Sequence, residues 1–277
     1  MGETFRLLRQ ALAPAWQRLL DLLFPPRCVG CGDPGTWFCP QCRASVTPIQ
    51  PPLCQRCGRP LNDGRLCSQC RRTPPIIDGI RSVAFFEAPL RQAIHHFKYR
   101  RRTELAAPLS EMMVAYWPQL RWSIDLLIPV PLHERRQRQR GYNQATLLAH
   151  RLGWAIGCPV TEDALIRQRE TAPQVSLAAS ERRRNVAGAF TWQAPPLQGE
   201  SILLVDDVCT TGATLEACAR ALRQAGAGSI WALTLARPPT VYRAAESPTF
   251  ASGRPSVDPP EAHHNPSAGR RLSARSD

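Results

Sequence analysis

A chain of 277 residues with a net charge of +13 and a pI near 9.9 has room for one α/β domain of ordinary size plus a smaller module. The basic balance points towards phosphate-bearing or nucleic-acid partners, but Lys98 is the only lysine, and such an arginine bias is also what a GC-rich genome produces. No stretch reaches about 18 uninterrupted apolar residues, which excludes a membrane-spanning helix.

Leu8, Leu12, Trp16, Leu19 and Leu23 fall on one helical face, so residues 1–24 are expected to form an amphipathic helix. Docking on its own protein is the common use of such a helix and anchoring on a membrane surface the rarer one. Arg6, Arg9 and Arg18 interrupt the apolar pattern, so a secretory leader is not expected and the compartment should be reducing, the cytoplasm.

Residues 25–75 carry eight of the eleven cysteines as four C-x-x-C pairs: Cys28/Cys31, Cys39/Cys42, Cys54/Cys57 and Cys67/Cys70. In a reducing compartment such pairs favour metal over disulfide, and two pairs complete a tetrahedral four-sulfur zinc site. The glycines that follow in "CVGCG" and "CQRCG" suit the positive backbone angle of a knuckle turn. The spacing suggests a double zinc ribbon with sequential sites, Cys28, Cys31, Cys39, Cys42 and then Cys54, Cys57, Cys67, Cys70, in preference to an interleaved cross-brace. Both ions are expected to be structural, because sulfur fills every position and a module this small has little core of its own.

Residues 76–237 read as alternating strand and helix. "GIRSVAFFE", "IDLLIPVPL", "SILLVDDV" and "SIWALTLAR" are strand candidates; "PLRQAIHHFKY", "TELAAPLSEMMVAYW", "NQATLLAHRLGWAIG" and "ATLEACARALRQAGA" are helices, the last stopped by Gly226. That alternation implies an α/β fold with a mostly parallel sheet and ligands at the carboxyl ends of its strands. Residues 238–277 turn to Pro, Ser, Arg, Ala and His and are expected to be a disordered tail, with no role for His263 or His264.

In "LLVDDVCTTGATLE" two acids close an apolar strand and a Thr/Gly turn opens a helix without any basic residue. The free N–H groups of a helix start, with the helix dipole, form an anion site, and Thr210, Thr211 and Thr214 add hydroxyl donors. Gly212 lets the backbone approach a phosphate, while Asp206 and Asp207 can accept from sugar hydroxyls or hold Mg²⁺. A ribose 5-phosphate satisfies both halves. Neither a P-loop nor a G-x-G-x-x-G fingerprint occurs. Cys158, Cys209 and Cys218 read as buried small residues.

"LLVDDVCTTGAT" resembles the PRPP-binding signature of type I phosphoribosyltransferases. The chain from about residue 20 to 237 resembles the ComF/GntX family through "LLFPPRCVGCG", "FKYRRRTELA", "IPVPLHERRQRQRGYNQATLLA" and "RQRETAPQVSLAASERRRNVAGAF". The resemblance implies a type I phosphoribosyltransferase-like parallel sheet flanked by helices behind a double zinc ribbon. It further implies PRPP with Mg²⁺ as ligand, Asp206 and Asp207 on the ribose hydroxyls, and Thr210, Thr211, Gly212, Ala213 and Thr214 around the 5-phosphate. Arg167, Arg169, Thr171 and Gln174 would belong to a mobile loop over the site.

Two departures bear on activity. Pro129, Pro131 and His133 differ from the small-residue loop that binds pyrophosphate in related enzymes, and Thr210 stands where purine-salvage relatives place an acid. No catalytic residue is therefore assigned. A phosphoribosyltransferase with an unidentified acceptor, a non-catalytic PRPP or nucleotide binder, and a single-stranded-DNA-binding factor in DNA uptake all fit. Arg135, Arg136, Arg138 and Arg140 could supply charge for pyrophosphate or, in the DNA-binding case, meet a nucleic-acid backbone.

Overall fold

The computed structural model describes residues 25–169, 186 and 188–239, which belong to one compact unit. The helix expected over 1–24, the tail from residue 240 onward, and Thr171 and Gln174 lie outside the described residues. The first ribbon carries the short helix α1 (Pro40–Ala44) and the second carries α2 (Ser68–Arg72). The two ribbons are copies of one device. Cys39 and Cys67 cap these helices, their sulfurs accepting from the N–H of Cys42 and Cys70, each at 3.4 Å. Gly32 and Gly58 take the expected positive φ, 85° and 67°.

Next come β1 (Gly79–Phe85), α3 (Leu90–Tyr99), α4 (Ala106–Tyr116), β2 (Leu126–Pro129), α5 (Glu134–Arg140), α6 (Gln144–Ile156), β3 (Leu165–Arg167), β4 (Phe190–Trp192), β5 (Ser201–Val208), α7 (Ala213–Gln224) and β6 (Ser229–Arg237). Strands β1, β6, β5 and β2 form a parallel sheet in that order, while β3 and β4 pair antiparallel as a separate hairpin. Helix α7 ends at Gln224, and Gly226 follows with φ 105°, where a Cβ would lie 2.3 Å from the Leu197 carbonyl oxygen.

The apolar run of β5 reads as it does because both faces of the sheet are covered. Leu203 and Val205 join one core with Leu148, Ala149 and Leu152 of α6 and Leu90, Ile94 and Phe97 of α3. Ile202 and Leu204 join a second core with Leu215, Cys218, Ala219 and Leu222 of α7. The chain therefore leaves β2 towards one face and β5 towards the other. In an open parallel sheet that divergence leaves a crevice at the carboxyl ends of the two neighbouring strands.

Both sheet edges are covered. Residues 47–49 run antiparallel to β1, with Ile49 N–H donating to Val83 O and Phe85 N–H to Thr47 O, each at 3.0 Å. Beyond β2, Leu127 N–H donates to Pro159 O and Thr161 N–H to Leu127 O, each at 2.9 Å. An uncovered parallel edge invites pairing with another chain, so the segment between the two ribbons has a structural task.

Candidate functional site

Asp206 and Asp207 end β5 at the mouth of the crevice, opposite Thr234 and beside the turn into α7. Successive strand residues face opposite sides of a sheet, so the two acids meet different surroundings. Asp207 turns to the α3 side, is 2 % exposed, and pairs with Lys98 Nζ through Oδ1 at 2.7 Å. Its Oδ2 is buried without a hydrogen-bond partner among the described residues. Asp206 is half-buried, accepts the Asp207 N–H at 2.8 Å, and faces the side of Arg167 and Cys218. Burial and the neighbouring Asp207 carboxylate push Asp206 up to about 7. Lys98 is raised: burial disfavours its charge, but the carboxylates of Asp207 and Asp206 outweigh that effect.

Beyond the acids the backbone turns sharply. Cys209 is buried and its N–H donates to Ala236 O at 2.9 Å, Thr210 is exposed, and Gly212 takes φ 81° at the start of α7. Thr211 Oγ1 accepts the Ala213 N–H at 3.3 Å. The one acid in the first turn, Glu216, is directed away from the turn and accepts from the N–H of Ile76 at 2.7 Å and of Ile77 at 3.4 Å. The structure thus brings Asp206, Asp207 and the Thr210–Thr214 turn together as one continuous strand–turn–helix junction.

Lys98 was not among the residues that the sequence singled out for the site. It reaches it because α3 buries Leu90 and Ile94, and Lys98 continues that same row one turn later. Tyr142 OH donates to Phe97 O, and Asn143 Nδ2 donates to Val130 O at 3.1 Å, so the segment after β2 is tied to the end of α3. His133 caps α5 by accepting the Arg135 N–H at 3.3 Å. Arg136, Arg138 and Arg140 lie on α5, where Arg138 pairs with Glu134 at 3.0 Å and Arg140 bonds Gln144. Of the expected mobile loop, Arg167 lies buried in β3 with its guanidinium 5.4 Å from the Phe190 ring centre, and Arg169 is exposed. Cys209 and Cys218 are buried as expected, whereas Cys158 is only half-buried because it lies in the surface turn after α6.

The eight ribbon cysteines gather into two sequential groups, Cys28, Cys31, Cys39, Cys42 and Cys54, Cys57, Cys67, Cys70, each with its sulfurs within 4.8 Å of one another. Zn–S bonds of about 2.3 Å in a tetrahedron give sulfur–sulfur edges of roughly 3.8 Å. Cys31 to Cys39 and Cys57 to Cys67 are each 3.7 Å apart. These donor sets fit zinc, with no fifth protein ligand in either group among the described residues.

Residues 19–71 match the double zinc ribbon domain family and residues 138–250 match the phosphoribosyl transferase domain family. The chain is 35% identical over 226 residues to the DNA utilization protein YhgH of Escherichia coli K12, covering 78% of this chain and 99% of that one. It is 30% identical over 208 residues to competence protein F of Haemophilus influenzae, with 72% and 90% covered. It is 28% identical over 218 residues to competence protein ComFC of Bacillus subtilis, with 74% and 85% covered.

Proposed function

The chain belongs to the ComF/GntX family, and from that premise we propose that its α/β domain binds PRPP at the β5–α7 junction and serves DNA uptake or nucleotide metabolism in the cytoplasm. The observation that carries this reading is the junction itself. Two acids, one of them held by a half-buried lysine, stand directly before a helix start whose own first-turn acid, Glu216, is turned away. The carboxylates accept from the ribose diol, and the N–H groups and hydroxyls of Thr210, Thr211, Gly212, Ala213 and Thr214 receive the 5-phosphate. Asp206 and Asp207 would also hold Mg²⁺, whose charge compensates the diphosphate. Lys98 adds a cation on the α3 side.

Displacement of pyrophosphate from C1 needs orientation and charge stabilisation more than a protein nucleophile. Thr210 offers no carboxylate base for a nucleobase, so binding and transfer are separate questions. Pyrophosphate release from PRPP and Mg²⁺ with a panel of bases answers the second: release shows transfer, and a silent panel beside measurable PRPP binding shows a non-catalytic binder. Failure of PRPP to bind would overturn the reading.

Proton linkage gives a second expectation. With its folded value raised above the ordinary carboxylate range, Asp206 favours the unfolded state progressively as pH rises from about 4 to about 7, and no further above that. Its ionised form is the acceptor for a diol, so ribose 5-phosphate should bind more tightly as pH rises through about 7. Calorimetry across that range should show the step in the wild type, reduced in Asp206→Asn to the titration of the phosphate itself. An identical profile in both would remove Asp206 from the ligand.

A second reading concerns single-stranded DNA. Tyr99 is 62% exposed at the end of α3, with the His95 ring 4.9 Å from its own and the Arg140 guanidinium 5.4 Å from its centre. Arg100, Arg101 and Arg102 follow it, all exposed. An exposed ring among arginines suits base stacking beside a phosphate backbone, worth about 1–3 kcal/mol per base. Binding of an oligonucleotide should weaken steeply with salt, survive Asp207→Asn, and fall about tenfold in Tyr99→Ala. Unchanged affinity in Tyr99→Ala would place the strand elsewhere.

A further inference from the structure

Arg237 closes β6 and is 3% exposed, and its guanidinium meets two cysteine side chains. Its Nη2 donates to Cys209 Sγ at 3.2 Å, and Cys57 of the second cysteine group flanks the same guanidinium. Nε and Nη1 are buried without a hydrogen-bond partner among the described residues. A buried cation is strongly disfavoured unless an anion lies near it. Four thiolates around one Zn²⁺ carry a net charge of −2, so the metal-loaded second ribbon is itself that anion. Cys209 is the residue that leads from β5 into the Thr210–Thr214 turn, so the same side chain touches both the ribbon and the ligand loop.

Backbone contacts join the same three parts. Ile80 N–H of β1 donates to Arg56 O in the second knuckle at 2.7 Å, and a Cβ on Gly58 would lie 2.2 Å from Ile80 O. On its other side the Ile80 Cδ1 lies 3.3 Å from the point where a Gly212 Cβ would stand. The first ribbon packs elsewhere: Trp37 receives Arg102 over its ring at 4.3 Å, Arg43 pairs with Glu111 of α4, and Cys28, Cys39 and Cys42 pack into the core that α3 and α4 share.

We infer that Arg237 is a positioning residue that fastens the ligand loop to the metal-loaded second ribbon, so that zinc at Cys54, Cys57, Cys67 and Cys70 sets the geometry of the Thr210–Thr214 turn. The consequence for ligand affinity rests on the PRPP reading above; the fastening itself does not.

Two readouts separate them: amide exchange at residues 209–214 and calorimetry with ribose 5-phosphate, both on the full chain with zinc content measured in parallel. Arg237→Met should speed exchange at 209–214 at least about tenfold while the amides of α6 keep their protection. Arg237→Lys, which keeps the charge, should restore part of the difference. Cys57→Ser should loosen the same amides, and Cys31→Ser in the first ribbon should leave them as they are. Where the wild type binds ribose 5-phosphate, Arg237→Met should weaken it about tenfold; if the wild type binds neither it nor PRPP with Mg²⁺, the PRPP reading fails and the exchange pattern still decides the fastening. Unchanged exchange at 209–214 in Arg237→Met would overturn the inference. So would equal loosening by Cys31→Ser and Cys57→Ser.

Discussion

Cys70→Ser should reduce the zinc content from two ions per chain to one and melt the second ribbon while the sheet persists. Between Ile49 and Ile77 the only buried apolar residues are Cys54 and Cys70, so this segment has almost no core apart from its metal. A structural zinc contributes on the order of 10 kcal/mol, more than a module of this size gains from burial. Cys70 is 5% exposed in α2, and serine cannot replace its thiolate as a ligand of comparable strength. Loss of the knuckle also frees the Arg56 carbonyl from Ile80 N–H. Metal analysis with amide exchange tests this directly: protection should vanish over residues 53–72 and weaken at Ile80. A variant that keeps two ions, or keeps the ribbon amides protected, would show that the second ribbon is not held by its metal.

Lys98→Met should be strongly destabilising to the α/β domain. Asp207 is 2% exposed, its Oδ1 is paired at 2.7 Å, and its Oδ2 has no partner among the described residues. Removing the ammonium leaves a buried carboxylate with no compensating cation in contact. Breaking one side of a buried pair costs about 3–5 kcal/mol, and the partial exposure of Lys98 places this case near 3. For a domain of this size that is a fall in Tm of about 10 °C. Lys98→Met/Asp207→Asn, with both charges removed, should recover most of it, a coupling that a double-mutant cycle measures. Additive effects of the two substitutions would mean that the pair is not the source of the loss.

The parts legible in the sequence are those whose residues report their own surroundings. The run from Ile202 to Val205 is apolar at every position because each face of β5 has a core, and Gly212 marks the left-handed entry to α7. The cysteine pairs carry the ribbon architecture in their spacing. Helix α5 could not be read, since "ERRQRQR" has no apolar stripe and its limits are set by the His133 cap and by Gly141 at φ 86°. The β3–β4 hairpin pairs only three residues on each side, too few for alternation to show.

Lys98 was visible as the only lysine in the chain, yet that fact reads first as a bias of composition. Its position on the Leu90–Ile94 row was the better signal, because a cation continuing a buried stripe needs an anion to meet it. Arg237 had no comparable mark. It ends an ordinary strand pattern, and its neighbours Cys57 and Cys209 are remote from it in the chain.

The decisive measurement is PRPP binding by calorimetry in the presence of Mg²⁺, for the wild type and for Asp206→Asn/Asp207→Asn. Both proteins should hold two zinc ions, so that the comparison concerns the junction and not the ribbon. The wild type should bind, and the variant should lose at least about a hundredfold in affinity, or ~2.8 kcal/mol at 1.4 kcal/mol per tenfold. Equal affinity in the two proteins would mean that the acids at the end of β5 do not read the ligand.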